Sequence, residues 1–145
     1  METGGTEKIR VLVVDDERDF AAPLVRRLKL RGLETLSASS GAQALDMLAE
    51  RPMDVVILDV RMPGMDGIQA IKEIKARHPL LEVIMLTGHA DLEASLQGME
   101  QGAFDYLLKP ADIDDLVYKV QDAFRKKELQ QKKIAALKKV RQEQG

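Results

Sequence analysis

The sequence predicts an α/β protein, with one parallel five-stranded sheet covered on both faces by helices. Three observations predict it. Short apolar runs rich in β-branched residues recur near 9–14, 55–58 and 83–86, too short for helices and too evenly apolar for strands with a wet face. Stretches with apolar residues at helical spacing separate them. Strand and helix alternate along the whole chain, which is the pattern of right-handed crossovers between parallel strands.

Residues 1–7 are polar and glycine-bearing and read as a disordered N-terminus. Ile9 to Val14 is a buried strand that ends in Asp15-Asp16-Glu17. A helix follows from about Arg18 to Arg31, with Ala21, Leu24, Val25 and Leu28 inward and Gly32 as its C′ residue. Leu33 to Ser37 alternates apolar and polar, as a half-exposed edge strand does. Ser40-Gly41-Ala42-Gln43 fits a capping box for a helix that turns Leu45, Leu48 and Ala49 inward and stops at Pro52. Val55 to Leu58 is the central strand, and Asp59 stands at its carboxyl end.

Pro63, Gly64 and Gly67 mark the turn behind Asp59, and Asp66 suits the N-cap of a helix with Ile68, Ile71 and Ile74 inward, ended by Pro79. Glu82 to Leu86 is the fourth strand. The helix from about Asp91 to Gln101 contains Gly98, which costs roughly 1 kcal/mol relative to alanine, so this helix is expected to be the loosest. Phe104 to Leu108 is the fifth strand. Asp112 caps a last helix carrying Ile113, Leu116, Val117, Val120 and Phe124.

The chain has 145 residues, 45% of them apolar, which suits one domain with a real core. No cysteine is present, so disulfides, zinc–thiolate sites and thiol nucleophiles are excluded. No signal-peptide pattern opens the chain and no apolar run approaches the ~20 residues of a membrane span, so a soluble, cytoplasmic protein is expected. The formal charge of −2 argues against a dedicated nucleic-acid binder. It is unevenly spread, however: Arg125 to Gly145 holds eight basic and two acidic residues, +6, which leaves −8 on residues 1–124.

In a parallel sheet all carboxyl ends lie on one rim, where ligands bind in open α/β folds. That rim would collect Asp15, Asp16, Asp59, Thr87 and Lys109. Taken singly, each has an ordinary reading: Asp59 as a turn starter, Thr87 as a strand residue, Lys109 as a solvated charge. Together they need explaining, because two carboxylates ~4 Å apart repel by about 4 kcal/mol at an effective dielectric near 20. Oxygen donors without His or Cys favour a hard cation, Mg²⁺ over Zn²⁺. With a lysine and a hydroxyl beside it, the chemistry suggested is phosphoryl transfer to a carboxylate.

Four segments carry a resemblance: Val13-Val14-Asp15-Asp16-Glu17, Leu58-Asp59-Val60-Arg61-Met62-Pro63-Gly64-Met65-Asp66-Gly67, Leu86-Thr87-Gly88 and Tyr106-Leu107-Leu108-Lys109-Pro110. In this order, the chain resembles the receiver domain of two-component response regulators over roughly residues 8–126. The resemblance implies a flavodoxin-like, doubly wound sheet of order 2-1-3-4-5. It implies Asp59 as phosphoacceptor, and Mg²⁺ held by Asp16, Asp59 and the backbone carbonyl of Val60, with Asp15 acting through water. Lys109 would contact the phosphoryl group, and Thr87 and Tyr106 would be the switch hydroxyl and switch aromatic, although Tyr106 alone reads as a half-buried packing residue. Arg61 and His89 occupy places that modulate phosphoryl lifetime, and both are bulky here. The bond before Pro110 is expected to be cis.

The function implied is a phosphorylation-activated signalling switch rather than an enzyme. Its phosphodonor would be a sensor histidine kinase or phosphotransfer protein, and its output the surface of the fourth helix, fifth strand and fifth helix. A phosphohydrolase using Asp59 is disfavoured, because such enzymes place a second acid where Arg61 stands. The alternative is the receiver fragment of a longer DNA-binding regulator; Thr87-Gly88-His89-Ala90-Asp91 resembles receivers that precede ATPase-type activator domains. Residues 127–145 read as a basic helical extension or connector, with Leu129, Ile134, Leu137 and Val140 as a partial apolar stripe. A helix this long is marginal alone in water. It is therefore expected to be ordered to about Leu137 and to support a homodimer together with the fourth-helix to fifth-helix surface.

Overall fold

The computed structural model describes residues 8–61 and 67–144, the His89 side chain excepted. Five parallel strands form one sheet in the order β2-β1-β3-β4-β5: β1 Arg10–Val14, β2 Glu34–Ala38, β3 Val55–Asp59, β4 Glu82–Thr87 and β5 Asp105–Leu108. Helices α1 Arg18–Leu30, α2 Gly41–Glu50, α3 Gly67–Arg77, α4 Leu92–Glu100 and α5 Ile113–Gln144 connect and cover them. The expected fold class and strand order are the ones observed.

The two-residue period of a strand divides the core in two. Leu12, Val14, Val56, Leu58, Val83 and Met85 face Leu45 and Leu48 of α2 and Ile71 and Ile74 of α3. Their neighbours Val11, Val13, Val55, Ile57, Ile84 and Leu86 face Leu28 of α1 and Leu116, Val117 and Val120 of α5. The three central strands are therefore wetted on neither face, which is why they read as unbroken apolar runs.

Local details refine the sequence reading. Ala49 is exposed, and Ala44 takes the buried place on α2 instead. Ser40 caps α2 by accepting the Gln43 N–H at 3.1 Å, but the Gln43 side chain returns to the Ser39 N–H, at 2.6 Å, and not to Ser40. Gly32 is left-handed at φ 85°, as a C′ glycine should be. Helix α4 is preceded by a single 3₁₀ turn, His89–Asp91. The expected cap at Asp66 lies outside the described residues.

Gly98 has a packing reason. A Cβ there would come within 2.3 Å of the Met85 sulfur and 3.1 Å of Ile71 Cδ1, so its absence lets α4 lie close against β4. At the other end of the chain, α5 runs without interruption through Lys126 and Lys127. Lys127 Nζ donates to Asp54 Oδ1 at 2.8 Å, and Lys126 Nζ lies 3.4 Å from Glu82 Oε2. The helix is thus still pinned to the sheet one turn past its last buried residue, Ala123, and from Leu129 to Gln144 it is exposed.

Candidate functional site

The strand register puts the chemistry on one rim. Val14 pairs with Leu58, Asp59 with Leu86, and Thr87 with Leu108. Asp15, Asp59, Thr87 and Lys109, which end or follow four adjacent strands, therefore stand at about the same height.

Asp15 and Asp59 are buried, 3% and 5% exposed. Asp59 Oδ1 accepts the Arg61 backbone N–H at 3.2 Å and lies 3.3 Å from Lys109 Nζ. Asp15 Oδ1 accepts the Glu17 N–H at 2.8 Å, whereas its buried Oδ2 has no hydrogen-bond partner among the described residues. Burial pushes the Asp15 carboxyl up to about 6; the Glu17 N–H pulls it down, and the nearby Asp59 charge raises it again. Carboxylate oxygens of Asp15, Glu17 and Asp59 lie within 4.8 Å of one another.

This donor set fits a hard divalent cation. It is all oxygen, it is over-supplied with negative charge, and it includes a buried oxygen with no hydrogen-bond partner among the described residues. The Val60 carbonyl accepts the Gly67 N–H at 3.1 Å and keeps its second lone pair for another partner. Gly67 is required there, because a Cβ would lie 2.5 Å from that oxygen.

Asp16 is exposed and is not one of the three clustered carboxylates. It shares a cavity of about 290 Å³ with Asp15, Ser37 and Gln43. The sequence reading overlooked Glu17 as a contributor. The signal was its spacing: in extended backbone a residue two beyond Asp15 returns to the same side, and Glu17 is extended at φ −93°, ψ 101°.

The remaining candidates surround this centre. The Thr87 hydroxyl is buried and engaged with the loop after β4, within 3.3 Å of the Gly88 carbonyl and 3.4 Å of the Asp91 carbonyl. Tyr106 is 39% exposed on β5. The Arg61 side chain pairs with Asp91, in the 3₁₀ turn before α4, at 3.5 Å. The Lys109–Pro110 bond is cis, as the resemblance implies. The ammonium of Lys109 sits 4.5 Å from the centroid of the Phe20 ring. The His89 side chain lies outside the described residues, as do Met62 and Met65.

Residues 11–121 match the family model described as the response regulator receiver domain. The chain belongs to the response-regulator receiver family. This receiver is 48% identical over 113 residues to the DNA-binding transcriptional regulator NtrC of Escherichia coli (strain K12), an alignment covering 78% of this chain and 24% of that protein. It is 41% identical over 116 residues to the regulatory protein AtoC of the same organism, covering 80% of this chain and 25% of the other. The chain thus spans about a quarter of the length of these curated relatives. Among solved structures, a response regulator receiver domain protein from Clostridium thermocellum superposes with a TM-score of 0.80 at 38% identity, covering 83% of this chain and 98% of that one. The receiver domain of NtrX from Brucella abortus gives 0.76 at 34% identity, covering 79% and 98%. Among the described residues, no helix is long and apolar enough to cross a membrane.

Proposed function

We propose that this receiver accepts a phosphoryl group from a histidine kinase or phosphotransfer protein on Asp59. The observation that carries the reading is the juxtaposition of the Asp59 carboxylate with Lys109 at 3.3 Å, beside the unpartnered Oδ2 of Asp15. An Asp59 oxygen attacks phosphorus, the donor's N–P bond breaks, and the imidazole leaves with the electron pair and takes up a proton. Lys109 supplies fixed positive charge where the transferred oxygens arrive. Asp16, Asp59 and the Val60 carbonyl would hold Mg²⁺ directly, with Asp15 acting through water and Glu17 nearby. When bound, Mg²⁺ supplies the positive charge that neutralises these carboxylates and the phosphoryl oxygens.

The switch follows from what Thr87 and Tyr106 do next. An added phosphoryl group offers acceptor oxygens to the Thr87 hydroxyl, which now donates to the Gly88 and Asp91 carbonyls. Movement of Thr87 inward opens room for the exposed Tyr106 ring, and the α4–β5–α5 surface changes. The Arg61–Asp91 pair ties the loop after Asp59 to the turn before α4, and there Arg61 would screen the approach of hydrolytic water.

That surface and the exposed end of α5 would support a homodimer. Leu129 and Val140 are 58% and 48% exposed and eleven residues apart, about three helical turns, with Tyr118 eleven residues earlier on the same face. A second reading, that the chain is the receiver part of a longer DNA-binding regulator, is favoured by its 24% coverage of NtrC.

Beryllofluoride with Mg²⁺, or a small phosphodonor, should give one adduct on the wild type and none on Asp59→Asn. An Asp59→Asn protein that still takes the adduct would sink the assignment.

A further inference from the structure

The Lys109 ammonium is held from two sides. Asp59 Oδ1 lies 3.3 Å away on one, and on the other the Phe20 ring centroid is 4.5 Å away, well inside the range of a cation–π contact. We infer that Phe20 is a positioning residue for Lys109, keeping the ammonium aimed at Asp59 so that an incoming phosphoryl group meets it in place. The inference rests on the phosphoacceptor reading of Asp59 for its functional consequence, though not for the contact itself.

The placement of Phe20 is built into the acidic end of the site. Asp15 Oδ1 holds the Glu17 N–H at 2.8 Å, and the Glu17 carbonyl accepts the N–H groups of Phe20 and Ala21 at 3.1 and 2.9 Å. The first turn of α1 is thereby fixed by the same carboxylate that faces Asp59, and the Phe20 ring swings over Lys109. The ring is half-buried, and the Lys109 side chain is 25% exposed. An ammonium so far withdrawn from water needs replacements for its lost hydration. Asp59 supplies one as a charge-assisted contact, and the negative face of the ring supplies another without competing for a proton. An aliphatic side chain of similar size would fill the same space but offer the ammonium no such face. Lysine on a flexible stem would then sample more orientations, and fewer of them would meet the phosphoryl oxygens.

The test separates shape from electrostatics. In wild type, ring currents should shift the Lys109 ε-methylene protons upfield; Phe20→Leu should abolish the shift and Phe20→Tyr should keep it. The dissociation constant for beryllofluoride at fixed Mg²⁺ should rise about three- to tenfold in Phe20→Leu and stay within about twofold of wild type in Phe20→Tyr. In a Lys109→Ala background, Phe20→Leu should cost nothing further. Wild-type affinity in Phe20→Leu, or an equal loss with and without Lys109, would overturn the inference. A wild type that takes up no beryllofluoride would instead overturn the phosphoacceptor reading, and the ring-current shift would then decide the contact alone.

Discussion

Lys127 Nζ donates to Asp54 Oδ1 at 2.8 Å, on the rim opposite Asp59. Asp54 is 2% exposed and also accepts from the Arg10 backbone N–H at 2.8 Å and from the Arg10 guanidinium at 3.1 and 3.2 Å. One carboxylate thus joins the entry to β3, the start of β1 and the point where α5 leaves the sheet. Burial pushes its pKa up, but the hydrogen bonds from Arg10 and Lys127 outweigh that and hold it below 3.8.

Asp54→Ala should therefore cost about 3 kcal/mol in denaturant unfolding at pH 7, because it removes the buried acceptor shared by the Lys127 ammonium, the Arg10 guanidinium and the Arg10 backbone N–H. Lys127→Ala should cost about 1 kcal/mol, since Arg10 still satisfies the carboxylate. The sign with pH follows from the depressed value: the contribution is present above 3.8 and is lost as pH falls through the folded-state pKa. The gap between wild type and Asp54→Ala should narrow below pH 3.8, and a constant gap down to pH 2 would contradict the assignment.

Asp15 has the opposite sign. Its folded pKa is raised from 3.8 to about 6, so its contribution is full below 3.8 and is lost as pH rises through about 6. Metal-free protein should lose up to about 3 kcal/mol between pH 4 and pH 7 on this account. Asp15→Asn should flatten that slope, and millimolar Mg²⁺ should restore stability above pH 6 but not below 4. Melting curves in EDTA and in Mg²⁺ across this range measure both effects.

Asp16 and Glu17 make competing claims on the metal. If Asp16 is a direct ligand, Asp16→Ala should weaken Mg²⁺ binding about tenfold or more, and Glu17→Gln and Asp15→Asn should weaken it less. Calorimetric titration of the three variants decides. A larger loss from Glu17→Gln would hand the direct role to the geometric cluster of Asp15, Glu17 and Asp59.

Gly98→Ala tests which of two effects governs α4. Helix propensity alone predicts a gain of roughly 1 kcal/mol. The contact 2.3 Å from the Met85 sulfur predicts a loss of about 1–3 kcal/mol from overpacking, since Met85 is fully buried. We expect the loss to win, and a raised Tm would show that Met85 repacks freely.

Thr87 and Tyr106 should move as a pair. On adding beryllofluoride, amide and side-chain resonances of both residues and of α4 should shift, and Thr87→Ala should uncouple Tyr106 while leaving the adduct on Asp59. Shifts confined to the Asp59 pocket would remove the proposed switch.

The sequence by itself determined the fold class, the strand order through its resemblance, and the rim on which the chemistry gathers. It could do so because both signals are local: a strand wetted on neither face must be apolar throughout, as 55–58 and 83–86 are, and an aspartate directly after such a strand must sit at its end. What depends on distance along the chain was decided only by tertiary structure. Asp54 carries no sign in its neighbours that it will meet Lys127, 73 residues later. Gly98 looks like a weak helix residue until Met85 is set beneath it. Phe20 stands outside the inward face expected of its helix and gains its meaning only when Lys109, just past the last strand, comes to lie over its ring. Each of these is a contact between elements whose separation is fixed by packing in the sheet, and short-range sequence pattern carries no information about it.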